Sequence, residues 1–297
     1  MSLVPVRRAA PWLFAAAATV LLASCGRGGG APAAEPVPGT PVEAVARLIG
    51  DLRANDPAAY ARHAVPPALH RQAAEAWARG ESNWPLNALP LDEHLPTLIS
   101  TLAAPQAEKT LLASYNQQFA GAHRELRSAA AALGLFATQY VASADEYSVE
   151  QRSHYTQLVS ALAEWGRSAP LGDPTLARQA IPQLVGAART TGLAAPGALQ
   201  RTGMEHSLER LGPFLARFKQ VLLPYGLDLD ATLDSMRVEL VEQTGDRARV
   251  RVEYELAGRT VSGVLVMERR EGQWYPRRAL ERLEARPGTA AAPAHPA

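Results

Sequence analysis

The chain has 297 residues, 47% of them apolar and 20% charged, with a formal net charge of +1. That length supports one large core or two modest ones. The balanced charge removes the electrostatic footprint that nucleic-acid binding needs, and a single cysteine excludes an intramolecular disulfide. Alanine supplies 57 residues, and arginine outnumbers lysine 28 to 2.

The first elements in chain order are an address. Arg7 and Arg8 precede an apolar run over 11–22, and no acid occurs before Glu35. A positive start followed by a short apolar stretch reads as a secretory signal, too short to span a bilayer comfortably. The run closes in Leu22-Ala23-Ser24-Cys25-Gly26. This resembles the lipobox of bacterial lipoproteins: a branched apolar residue, two small residues, then cysteine. The resemblance covers the first tenth of the chain. It implies cleavage before Cys25, a diacylglycerol on the Cys25 sulfur and acylation of the new amino group. Two or more acyl chains anchor a protein stably, where one holds it marginally. In the proteobacterial members, aspartate after the cysteine retains the protein in the inner membrane. Gly26 in that place implies the outer membrane, with the body expected to face the periplasm.

Residues 26–41 (GRGGGAPAAEPVPGTP) combine flexible glycine with helix-breaking proline and predict a disordered tether of roughly 20–25 Å as a coil. Helical signals dominate from Thr40 to about Tyr225. Thr40-Pro41 is a cap followed by proline at the first helical position, and Val42, Val45, Leu48, Ile49 and Leu52 mark one face. Asn55-Asp56-Pro57 stops that helix and opens a short one. Pro66-Pro67 breaks the chain before a helix over 69–77, and 80–90 reads as loop. Leu112, Tyr115, Phe119, Ala122, Leu126, Ala129, Leu133, Phe136 and Tyr140 then alternate spacings of 3 and 4, a heptad seam held for four repeats. A capping box at Ser148 and Gln151 predicts the second arm of an antiparallel helical hairpin, with Tyr155, Leu158, Leu162 and Trp165 on its face. Asp173-Pro174 opens a further helix. Leu208, Leu211, Leu215, Phe218 and Leu222 line another, with a kink expected at Gly212-Pro213.

After Leu227 the pattern changes. Asp228 or Asp230 caps a short helix, and from Met236 the period becomes two. Val250, Val252, Tyr254 and Leu256 alternate with Arg249, Arg251, Glu253 and Glu255, between turn signals at Gly245, Gly258 and Gly272. An antiparallel meander of three or four strands follows, closed by Gln273-Trp274-Tyr275 and a last helix from Arg277 to Glu284. A sheet that small needs helices over its apolar face. The meander with its Gly-x-Trp strand, and the helix–Asn-Asp-Pro–helix near the start, resemble the NTF2-like or cystatin-like modules of bacterial lipoproteins. The resemblance covers about a third of the mature chain and implies a cone-shaped sheet.

The expected fold class is therefore α+β: mostly helical, antiparallel hairpins or a bundle, then a small antiparallel sheet. The expected organisation is a signal peptide at 1–24, a tether at 25–41, a helical domain at 42–227, an α+β meander packed on helices at 228–286 and a disordered tail at 287–297. Of the seven histidines, His63 and His70 are separated by Pro66-Pro67, and Glu205 and His206 point apart as helical neighbours, so no metal site is expected. No GxSxG, SxxK set or phosphate-binding glycine loop marks a catalytic site. Asp92-Glu93 and Asp145-Glu146 suit helix starts or loops, and the C-terminal arginines interleave with glutamates as cross-strand pairs. Trp84, Trp165 and Trp274 are candidates for lining a ligand pocket, against the alternative of core packing. The expected functions are a non-enzymatic, lipid-anchored envelope protein that binds a periplasmic or outer-membrane partner; a carrier for a small apolar ligand in a cone-shaped pocket; or a hydrolase whose site is assembled from distant residues. No cofactor and no nucleic-acid partner are expected.

Overall fold

The computed structural model describes residues 39–86, 94–144 and 147–285. The expected signal peptide, Cys25, most of the tether and the tail at 287–297 lie outside the described residues. Helix α1 (Pro41–Arg53) starts as expected and more firmly. The Thr40 hydroxyl accepts the Glu43 N–H, and the Glu43 carboxylate accepts the N–H groups of Gly39 and Thr40 at 2.9 and 3.0 Å. These bonds hold the Glu43 carboxyl below its usual pKa, the Thr40 backbone contributing most. Asn55 takes a left-handed φ of 58°, and Asp56 caps α2 (Pro57–His63) by accepting the Ala59 N–H at 2.8 Å. After the two prolines comes α3 (Pro67–Ala78).

Seven helices follow: α4 (Leu95–Ala103), α5 (Ala107–Gln118), α6 (His123–Ser143), α7 (Val149–Ser168), α8 (Pro174–Thr191), α9 (Ala198–Thr202) and α10 (Met204–Leu222). The heptad seam is not one helix. It breaks between Phe119 and Ala122, where Gly121 adopts a φ of 76° and donates its N–H to the Gly172 carbonyl at 2.9 Å. A contact with a distant loop thus overrides an unbroken periodic pattern. The hairpin itself is present. Helices α6 and α7 pack along each other, and Ser148 with Gln151 forms the expected capping box. Asp173 caps α8 by accepting two N–H groups. Helix α10 runs through Pro213 and buries Leu208, Leu211, Phe214 and Val221.

The short helix α11 (Leu229–Asp234), capped by Asp228, leads into the sheet. Strands β1 (Arg237–Thr244), β2 (Arg247–Leu256), β3 (Arg259–Arg270) and β4 (Gln273–Pro276) form an antiparallel meander in the order β1-β2-β3-β4, and α12 (Arg277–Glu284) closes it. The turns fall at the expected glycines. Ala257-Gly258 and Glu271-Gly272 both carry two consecutive positive φ values, the geometry that matches the twist of a hairpin. The fold is α+β, as the patterning implies.

One face of the sheet is filled from above by α1. Ala44 and Val45 pack on Val250, Val252, Met267 and Trp274. Towards the other end of that face, Leu256 and Val261 pack with Ala161 of α7 and with Leu227. The largest cluster lies among the helices, where Trp77, Trp84, Leu208, Leu211 and Phe214 meet Tyr275 and Leu280. Helices therefore touch the sheet from both chain directions. The described residues belong to a single contact unit, and the change from helix to strand falls within it, between α11 and β1.

Candidate functional site

The residues that carry chemistry are dispersed. His63 and Asp51 sit mostly buried with Nδ1 and Oδ2 2.8 Å apart. Burial raises the Asp51 carboxyl pKa, and the bond to His63 opposes that rise. His70 has a buried Nε2 with no hydrogen-bond partner, 3.6 Å from Glu205 Oε2. Burial lowers its pKa, the Glu205 charge opposes this, and Arg62, which pairs with Glu205, adds to it. His206 bonds Glu209 one turn on, in the open. Among the described residues no three His, Cys, Asp or Glu side chains converge as metal ligands. Asp92-Glu93, Asp145-Glu146 and His295 lie outside the described residues.

The three tryptophans belong to three separate clusters. Trp84 is in the helical core, Trp274 is under α1, and Trp165 packs with Leu158 and Leu222 and donates its indole N–H to the Tyr225 carbonyl at 2.8 Å. The structure does not bring them together. Two concavities stand out, and neither is lined by a tryptophan. One, of about 400 Å³, opens between Asn55-Asp56-Pro57 and Glu209, Gly212 and Pro213. The other, of about 130 Å³, lies between His123, Arg127, Arg167 and Gly172. The C-terminal arginines and glutamates pair as the alternation suggests, with Arg237 to Glu253 at 3.7 Å and Arg249 to Glu242 at 3.9 Å across strands.

The feature that departs most from an ordinary surface is the α6–α7 hairpin. Its inner face is made of small residues. A Cβ added at Gly134 would lie 2.4 Å from the Ala163 Cβ, and one at Gly166 would lie 3.1 Å from the Ala130 Cβ. The two backbones therefore approach closely, which large side chains would prevent. The bulky residues of α6 point elsewhere. Leu133, Leu135, Phe136 and Tyr140 are 67%, 72%, 71% and 54% exposed. No charged residue occurs from Ser128 to Ser143, since the helix carries its charges in the first turns as Arg124, Glu125 and Arg127. The heptad positions Ala129, Leu133, Phe136 and Tyr140 thus face outward, with α7 to one side.

Helix α7 mounts this hairpin on the sheet. Strand β4 pairs with β3 only over 267–270, so the outer edge of β3 is open further back. There the Ser262 N–H donates to Gln157 Oε1 at 2.9 Å, and the Ser262 carbonyl accepts from His154 Nδ1 at 3.1 Å. A carbonyl can only accept, so Nδ1 carries the proton. Arg278 reaches the Tyr155 hydroxyl at 2.7 Å, and Arg249 reaches Glu150 at 3.2 Å. Sequence reasoning missed this mounting. Its only trace is a His/Gln pair three residues apart on the face that also carries Leu158 and Trp165. The small inner face left a clearer trace, Ala130, Gly134 and Ala137, which the larger residues of the heptad obscured.

No family model, no curated protein and no solved structure matches the chain. No described helix is long and apolar enough to cross a membrane.

Proposed function

We propose that the chain is a non-enzymatic lipoprotein of the bacterial envelope, anchored by a glyceride on Cys25 at the periplasmic face of the outer membrane, and that it binds an envelope partner through the outward face of α6. The anchor rests on the residues Leu22-Ala23-Ser24-Cys25 and on Gly26 after them. The binding role rests on one observation: a helix at the margin of the fold that presents Leu133, Phe136 and Tyr140 to solvent with no charge among them. Contiguous exposed apolar surface of this kind marks interaction sites on soluble bodies.

Two experiments test the two halves. Cys25→Ala leaves uncleaved precursor and abolishes incorporation of labelled palmitate; normal processing of the variant defeats the anchor. A photo-reactive residue at Phe136, in cells, gives discrete adducts that the same residue at Arg210, exposed on α10, does not give. Equal labelling at both positions defeats the binding role.

A further inference from the structure

We infer that the α6–α7 hairpin is a hinged strap. It closes over the β3 margin beyond the end of β4, and it swings off that margin as one unit while the sheet and the helical core stay folded. The inference goes beyond the docking reading and stands whether or not α6 binds a partner. Three observations carry it. The first is burial. Helices α6 and α7 are 21 and 20 residues long, yet α6 buries only Gly134 and Val141, and α7 only Ala161 and Gly166. Helix α10, with 19 residues, buries Met204, Leu208, Leu211, Phe214 and Val221 among others. Gly134 and Gly166 face Ala163 and Ala130, so they hold the hairpin to itself and not to the body. Among the described elements, α6 packs substantially on α7 alone. A region with so few buried apolar contacts opens at a lower free energy than the whole molecule unfolds.

The second observation is how α7 is fastened. Over its first half every fastening on the sheet and α12 is a side-chain polar bond: Glu150 to Arg249, Tyr155 to Arg278, and His154 and Gln157 to Ser262. Water can replace each of these partners, so each bond adds little net stability. Apolar fastening is confined to Leu158, Ala161 and Trp165, and of these only Ala161 is fully buried. In the closed state Gln157 Oε1 and His154 Nδ1–H supply the acceptor and donor that a neighbouring strand would supply. Swinging off bares the Ser262 N–H and carbonyl. The backbone groups of Val261 and Gly263 point the other way by the alternation of a strand, and they keep their bonds to β2.

The third observation is the foot of the hairpin. The chain enters and leaves it at one place, where the Gly121 N–H donates to the Gly172 carbonyl at 2.9 Å and the Tyr115 hydroxyl donates to the Leu171 carbonyl at 2.9 Å. Helix α5 ends before this point, at Gln118, and α8 begins after it on its own cap, Asp173. Neither neighbour needs the hairpin in place. Gly121 holds a φ of 76°, and nothing lies within 4 Å of where its Cβ would be, so the backbone has room to turn there. Hinges of this kind absorb a swing in a few loop residues.

The test is hydrogen exchange by NMR on the full-length chain, with two reporters where α7 meets the body. One is the Ser262 amide, bonded to Gln157, and the other is the Trp165 indole N–H, bonded to the Tyr225 carbonyl. Opening as a unit releases both in one event. Corrected for intrinsic rates, their protection agrees within about threefold, and Ser262 exchanges roughly tenfold or more faster than Val261 and Gly263. Gln157→Ala lowers the protection of the Trp165 indole several-fold, although it lies about two turns away, and leaves the Leu211 amide of α10 unchanged. A lock reverses the effect. A Cβ at Gly263 would lie 3.1 Å from His154 Cγ, within reach of a disulfide. In a Cys25→Ser background, oxidising the pair His154→Cys and Gly263→Cys slows the Trp165 indole several-fold more than it slows Leu211. Three results overturn the inference. One is a Ser262 amide as slow as Val261 and Gly263. Another is a protected Trp165 indole beside an exchanging Ser262, which is fraying of one end. The last is a lock that slows Leu211 as much as Trp165. If the cysteine pair does not fold, the wild-type and Gln157→Ala rates decide.

Discussion

Helices α6 and α10 are nearly equal in length, with 21 and 19 residues, and they are arranged as opposites. Helix α10 buries Leu208, Leu211 and Phe214 and turns His206, Glu209, Arg210 and Arg217 to water. Helix α6 buries Gly134 and Val141 and turns Leu133, Phe136 and Tyr140 to water. Both show helical apolar periodicity, so the period alone does not tell which neighbour covers the apolar stripe. The difference lies in the small residues. Where Gly and Ala form a stripe of their own, a close helix–helix approach uses that stripe and leaves the bulky one free.

Substitutions break this comparison in graded fashion. Phe214→Ala empties a filled site in the α10 core, and urea denaturation should show a loss of about 3–5 kcal/mol. Gly134→Ala drives a methyl into Ala163 and should cost about 1–3 kcal/mol by overpacking, with Ala163→Gly in the same chain restoring most of the loss. His70 sharpens the polar side of α10, where it faces Glu205 and Arg62. Because burial lowers its folded-state pKa, the unfolded chain takes up a proton near pH 6.5 that the folded chain refuses. Stability from this site is present above that pH and is lost as pH falls below it. His70→Gln should therefore show a smaller drop in urea midpoint than wild type between pH 7 and about 5. The smallest effect belongs to Phe136→Ser. It removes a larger apolar side chain than any leucine yet should leave stability within about 0.5 kcal/mol, since the ring is already in water. A loss comparable to that of Phe214→Ala would mean that α6 buries this face within the monomer.

What was legible in the sequence is what local chemistry decides. The caps at Thr40, Ser148, Asp173 and Asp228 each act within three residues of the helix they start, and the β-turn glycines act within two. The helix limits Arg277 to Glu284 and the change of period after Leu227 were readable for the same reason. The break at Gly121 was not, because it depends on a bond to Gly172 in a loop far along the chain. Helices α4 and α9 carry no capping side chain and left no sharp signal. At the candidate site the stripe was legible and its orientation was not, since orientation is set by the Gly134–Ala163 contact between two helices. The tryptophans were legible as large apolar anchors, but their assignment to three clusters depends on tertiary packing.

The pair of bonds from His154 and Gln157 to Ser262 has a consequence for safety as well as for placement. An unpaired strand margin is a template on which another chain can add, and here two side chains of a helix occupy a donor and an acceptor of that margin. Any event that peels the hairpin away, by truncation, proteolysis or a substitution such as Gln157→Ala, uncovers that template at the moment it releases the helices. The hairpin whose outer face we propose for docking also guards the sheet against runaway stacking.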